Sequence, residues 1–178
     1  MAKVTRRFLQ AMQSRNARVA VTASATRGAG RAKVKAAREF LGTLPLRRFS
    51  VSNRKAFCAQ LDAATEELRR ALPPDSRSWG LARKLLNIFL RGAFYSRYLC
   101  KGYKLHAAER FFEIPRDSIT AEQLYRRAGR GVLRRWKGVK YLTQDVSDEY
   151  QQYATKVART SGDARVHLDA YWWGERKA

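Results

Sequence analysis

Cysteine and histidine are scarce in this chain of 178 residues, which contains two of each. Cys58 and Cys100 lie among apolar residues in stretches that read as helix, so they are expected as buried thiols and supply no disulfide framework. There is no C-x-x-C pair, and His106 and His167 stand too far apart to share an ion, so neither a metal nor a cofactor is expected. Acid is the second scarcity: 15 Asp and Glu face 37 Lys and Arg, a formal net charge of +22. That excess is beyond what solubility requires and marks a polyanionic partner, although charge alone leaves DNA, RNA and anionic lipid open. No apolar run approaches the roughly 18 to 20 residues of a membrane span, and no signal-peptide core is present. A cytoplasmic protein that does not engage a membrane is expected.

A chain of this length buries one ordinary core. Residues 1–40 carry ten Lys and Arg before and at Arg38, with no acid until Glu39. They read as a basic N-terminal arm with a glycine-containing break at Arg27-Gly28-Ala29-Gly30. An Arg-rich, acid-poor start also has the composition of an organellar transit peptide. Residues 41–178 read as one helical domain, so the expected class is all-α. Asn53 is placed to cap a helix running to about Leu72, with Phe57, Leu61, Ala64 and Leu68 in one stripe. Pro73-Pro74 ends it. A polar turn then leads to a second helix whose Ala82, Leu85, Leu86, Phe89, Leu90 and Ala93 recur at helical spacing, with Arg83, Lys84, Asn87 and Arg91 assigned to other faces. Helix, tight turn, helix is a helix-hairpin-helix-like element, whose second N-terminus can present free amides to a phosphate. Trp79, Gly80 and Arg83 are placed to contact a DNA backbone there. Beyond it, the residue before Pro115 disfavours helix, so Phe111 to Pro115 is expected to be extended. Two further helices are expected from about Thr143 or Ser147 to Thr160 and from Asp163 to Gly174.

An enzyme acting on a base in duplex DNA must extrude it, which calls for a cationic surface, an aromatic-lined pocket and a few buried polar groups. Lys84, near the start of the second hairpin helix and beside Arg83, is a candidate nucleophile, because partial burial and a neighbouring cation both disfavour the ammonium form. The plainer reading is a solvated or phosphate-contacting lysine. Asp117, just before a helix in an acid-poor chain, can stabilise a developing positive charge or simply cap that helix, and the two roles are compatible. Asp169 and Trp173 are four apart and share a helix face, and with Trp172 they offer an acceptor beside an aromatic plate. The alternative is that both tryptophans close the core.

Together, Lys84, Ile114-Pro115-Arg116-Asp117 and His167-Leu168-Asp169-Ala170-Tyr171-Trp172-Trp173 resemble the helix-hairpin-helix DNA glycosylase superfamily, and within it the archaeal-type 8-oxoguanine DNA glycosylase branch. The superfamily's hairpin usually reads L-P-G-x-G before the Lys; here Gly80 matches one glycine, Ala82 stands at the second and Trp79 where Pro is common. The resemblance implies a monomeric enzyme that excises a damaged or modified base from double-stranded DNA. Lys84 and Asp117 would be catalytic, and Asp169, Trp173 and Trp172 would bind the base. The base would be an oxidised purine in repair, or a hypermodified phage base such as glucosylated hydroxymethylcytosine in phage defence. The alternatives are a non-catalytic, sequence-independent DNA- or RNA-binding protein and an organellar ribosomal protein.

Overall fold

In the computed structural model, residues 4–26 and 30–174 are described, and among them every regular element is helical. The elements are α1 (Arg6–Ala20), α2 (Ala23–Thr26), α3 (Arg31–Thr43), α4 (Arg54–Ala71), α5 (Trp79–Tyr95), α6 (Arg97–Tyr103), α7 (Ser118–Ala128), α8 (Gln144–Thr160) and α9 (Leu168–Gly174), joined in part by short 3-10 turns. The expected break at Arg27-Gly28-Ala29 lies outside the described residues.

Two hydrophobic clusters organise the chain. The larger gathers Ala17, Leu41, Phe57, Leu61, Leu86 and Phe89 with their neighbours from α1, α3, α4, α5 and α6. The smaller is built from Ile114, Leu124, Tyr150, Ala154, Leu168 and Trp172, on α7, α8, α9 and the segment before α7. The α4 stripe is buried as its spacing requires, and the Asn53 side chain accepts from the Ala56 amide. α5 lies at the centre of the larger cluster. α4 packs along it, then Pro73 and a 3-10 turn over Pro74–Ser76 reverse the chain, and Ser78 caps α5 by accepting from Leu81 N.

Among the described residues, 6–20 and 31–40 do not stand off as an arm. α1 packs on α3 and α5, burying Ala17, Ala20, Ala37 and Leu41. Buried Gln13 donates to the carbonyls of Leu41 and Leu44 at 3.0 and 2.8 Å, and Asn16 donates to Phe89 O at 2.8 Å. Gly92 on α5 is the seat for Asn16, since an added Cβ would collide with that amide. Small residues let these helices approach closely, and their basic side chains point outward along the rest of each helix. Helices on both sides of residue 40 therefore share the larger cluster.

The two clusters are sewn together by buried polar groups. Gln151 on α8 accepts from Ile114 N at 3.1 Å and donates to Ile114 O at 2.9 Å, holding residues 112–117 extended. Arg165 donates to the carbonyls of Phe112 and Phe111, and Arg116, 1% exposed, donates to Ser147. His167 fixes the start of α9: its Nε2 donates to Glu109 at 2.9 Å and its Nδ1 accepts from the Tyr95 hydroxyl at 3.0 Å. Cys58 and Cys100 are free thiols, each only partly buried. Among the described residues no helix is long and apolar enough to cross a membrane, and no group of three His, Cys, Asp or Glu is placed to hold a metal.

Candidate active site

The seam between the two clusters opens as a cleft of about 190 Å³. Its floor is a second stripe on α5, where Lys84, Ile88 and Arg91 at i, i+4 and i+7 share one face. Val19 and Ala20 from the end of α1, Thr22 from the link after it and Ala25 from α2 line another wall. The remaining lining comes from the smaller cluster: Pro115 and Asp117 from the extended segment, and Asp169 and Trp173 from α9. Four residues singled out from sequence, Lys84, Asp117, Asp169 and Trp173, thus meet at one cleft although they come from three separate parts of the chain.

Lys84 is 5% exposed, and its Nζ donates to Ala25 O at 3.0 Å. Asp117 is the N-cap of α7. Its Oδ1 accepts from Ile119 N at 2.9 Å and Thr120 N at 3.0 Å, while Thr120 Oγ1 accepts from Asp117 N at 3.1 Å and donates to Pro115 O at 2.9 Å. The capping box thus runs from Asp117 to Thr120. It fixes the carboxylate at the cleft wall on a rigid mount, so capping and lining the cleft are both met by this residue. Asp169, 2% exposed, forms an ion pair with Arg91. Burial lowers the Arg91 pKa from the usual arginine value, against the opposing pull of Tyr95 and Asp117. Arg91 was missed as a site residue, as were Thr22 and Ala25; the i, i+4, i+7 relation to Lys84 is the one sequence signal that reaches Arg91.

Past Lys84 and Ala25 the cleft continues into an open groove of about 660 Å³, lined among others by Lys33, Arg77, Lys137, Lys140 and Tyr141, with Asp75 as its acid. Lys84 and Ala25 line both cavities, so the lysine stands at their junction.

The other four residues singled out from sequence line neither cavity. Arg83 is 2% exposed and turned inward, donating bidentately to Glu113 at 2.9 and 3.0 Å, to Asp62 at 2.8 Å and to Thr65 at 2.9 Å. A guanidinium closed by two carboxylates is spent on the core and is not available to a phosphate. Asn87, also read as surface, donates to the same Glu113. Gly80 is buried beneath residues 139–142; a Cβ there would fall on the Val139 carbonyl oxygen and Leu142 Cβ, so this glycine serves a close packing contact. Trp79 is half-buried, with the Arg83 guanidinium 5.2 Å from its ring centroid. Trp172 is 3% exposed in the smaller cluster, under Arg127, whereas Trp173 is 48% exposed at the cleft. Of the adjacent pair, Trp172 is a core residue.

Burial by itself would raise the Glu113 pKa, but the charge and hydrogen bonds of Arg83, with Arg165 and Arg116 behind, hold the carboxyl down at about 2. Burial draws Arg116 down to about 10.

No protein-family model, no curated protein and no solved structure matches this chain. The functional reading rests on the cleft itself.

Proposed function

We propose that the chain is a DNA glycosylase of helix-hairpin-helix type, which extrudes a damaged or modified base into the cleft between the two clusters and cuts its glycosidic bond. The observation that carries this reading is the convergence of an amine, two carboxylates and an exposed indole on one cleft beside a basic groove. In the reaction, Lys84 in its neutral form attacks the sugar C1′ while the bond from C1′ to the base breaks. The base departs with that electron pair and takes up a proton. Asp117 stabilises the positive charge that develops on the sugar, and loss of the ring oxygen from C1′ gives a Schiff base with Lys84, which hydrolysis resolves or strand cleavage follows. A form in which Asp117 assists water directly, leaving an abasic site, uses the same two residues. Trp173 stacks on the extruded base, and Asp169, ion-paired to Arg91, accepts from its ring N–H groups. An oxidised purine and a bulky cytosine such as glucosylated hydroxymethylcytosine are the substrates to try first.

The test is incubation with duplexes carrying 8-oxoguanine or uracil and with phage DNA bearing modified cytosines. Abasic sites are read by alkaline cleavage and covalent complexes by borohydride trapping. One substrate should yield both, and Lys84→Gln should abolish the trapped complex and lower excision by on the order of 10³-fold. Trapping that survives Lys84→Gln overturns the role of Lys84.

A second reading, a non-catalytic, sequence-independent DNA- or RNA-binding protein, is favoured by the net charge of +22 and by the hydrogen bond from Lys84 to Ala25 O, which suits an ammonium. It expects tight binding, no abasic sites on any duplex, and no effect of Lys84→Gln beyond affinity.

A further inference from the structure

The groove beyond Lys84 carries a feature that the excision chemistry does not use. Tyr141 ends the 3-10 turn Val139–Tyr141 at the groove and is 65% exposed. Its backbone is nevertheless fixed. Tyr141 N donates to Gly138 O at 3.1 Å, and Ser78 Oγ, the cap of α5, lies 3.4 Å from the carbonyl oxygens of both Val139 and Lys140. The next side chain, Leu142, is buried, and the turn lies so close over Gly80 that no Cβ fits between them. Gly138 enters the turn at φ +105°, a conformation open mainly to glycine. The ring is therefore presented to water on a rigid mount, with the ordering of its turn already accomplished by folding.

The charge around it is predominantly basic, with Asp75 as the one acid among the lining residues. Lys33, Arg77, Lys137 and Lys140 line the same groove, and Lys140 Nζ lies 5.9 Å from the Tyr141 ring centroid. Cations for phosphates around a flat aromatic face form the pairing used by proteins that track a nucleic-acid backbone and stack on its bases. Val132, 59% exposed, is the other exposed large apolar side chain on the basic stretch after α7, but it has no π-face and follows Gly131 at φ +82°; Trp136 is partly buried against Tyr150.

We propose that Tyr141 is the wedge that enters the base stack of duplex DNA and fills the gap left by the extruded nucleotide, with Lys137 and Lys140 on the flanking phosphates. The assignment rests on the base-extrusion reading for the origin of that gap. The probe is a pair of duplexes of one sequence, one of them carrying a tetrahydrofuran abasic analogue, which leaves a gap and cannot be excised. The wild-type chain should bind the gapped duplex about 5- to 150-fold more tightly than the intact one, the range spanned by one aromatic–base stack. Tyr141→Ala should lose that preference while binding the intact duplex as the wild type does, and Tyr141→Phe should keep it. Equal binding of both duplexes by the wild type, or a preference that survives Tyr141→Ala, overturns the wedge. The two readings fail separately. A preference lost in Tyr141→Ala with no base released from any duplex leaves the wedge and removes the glycosylase; excision with a preference indifferent to Tyr141 does the reverse.

Discussion

Arg83 and Lys84 are neighbours on one helix, both nearly buried, and their surroundings have opposite characters. Arg83 faces a closed polar knot in which Glu113, Asp62, Thr65 and the helical neighbour Asn87 satisfy one another. Lys84 faces the other way, donates to a backbone carbonyl and lines two open cavities. Burial of charge thus serves two ends within one turn of α5. Where carboxylates complete the shell, the charge holds elements together; where the side chain also lines a cleft, we propose that it serves the chemistry. A buried cation is informative about function only once its partners are known.

The sharpest way to break this contrast is to exchange its predicted phenotypes. Glu113→Gln removes the carboxylate on which Arg83 and Asn87 converge, and should lower stability by about 3–5 kcal/mol, since an uncompensated guanidinium is left in the core. For a chain of this size that is a fall in melting temperature on the order of 10 °C, measured by calorimetry. Asp117→Asn should do the reverse. Asparagine also caps a helix, so the melting temperature should hold within a few degrees while excision falls by about 10²- to 10³-fold. An Asp117→Asn variant with full activity removes Asp117 from the chemistry. The tryptophan pair repeats the contrast: Trp172→Ala should cost about 3–5 kcal/mol of stability as a core truncation, whereas Trp173→Ala should leave the melting temperature near its wild-type value and weaken binding of the substrate duplex by about tenfold. The smallest effect concerns acid. The Glu113 carboxyl is held below its usual value of 4.5, at about 2, so its contribution is complete above pH 4.5 and is lost as pH falls toward 2. Melting temperature should therefore decline more steeply across that window in the wild type than in Glu113→Gln.

Much of the helical framework is readable in the residue order. The stripe Phe57, Leu61, Ala64, Leu68, the Asn53 cap, the Pro73-Pro74 break and the stripe on α5 all describe interactions within a few residues, where spacing and side-chain type determine the outcome. The Asp117 cap and the shared face of Asp169 and Trp173 are of the same local kind. The largest misreadings are long-range, whereas Phe111, expected extended, ends a local 3-10 turn. Arg83 and Asn87 look like surface positions until Glu113 is brought against them from the other side of α6. The first 40 residues look like an arm because half of their buried positions, Ala17, Ala20 and Ala37, are alanines, small residues whose burial depends on how closely another helix comes. Trp172 and Trp173 are indistinguishable in sequence, and only the packing of α9 on α7 decides which indole is covered.

What the sequence by itself determined is the helical class, the helix ends and the strong positive charge, because these follow from periodicity, capping and composition. The tertiary structure alone decided that Arg83 is closed by two carboxylates, and that Lys84, Asp117, Asp169 and Trp173 share one cleft. Such meetings depend on packing between residues far apart in the chain, and helical spacing carries no record of them.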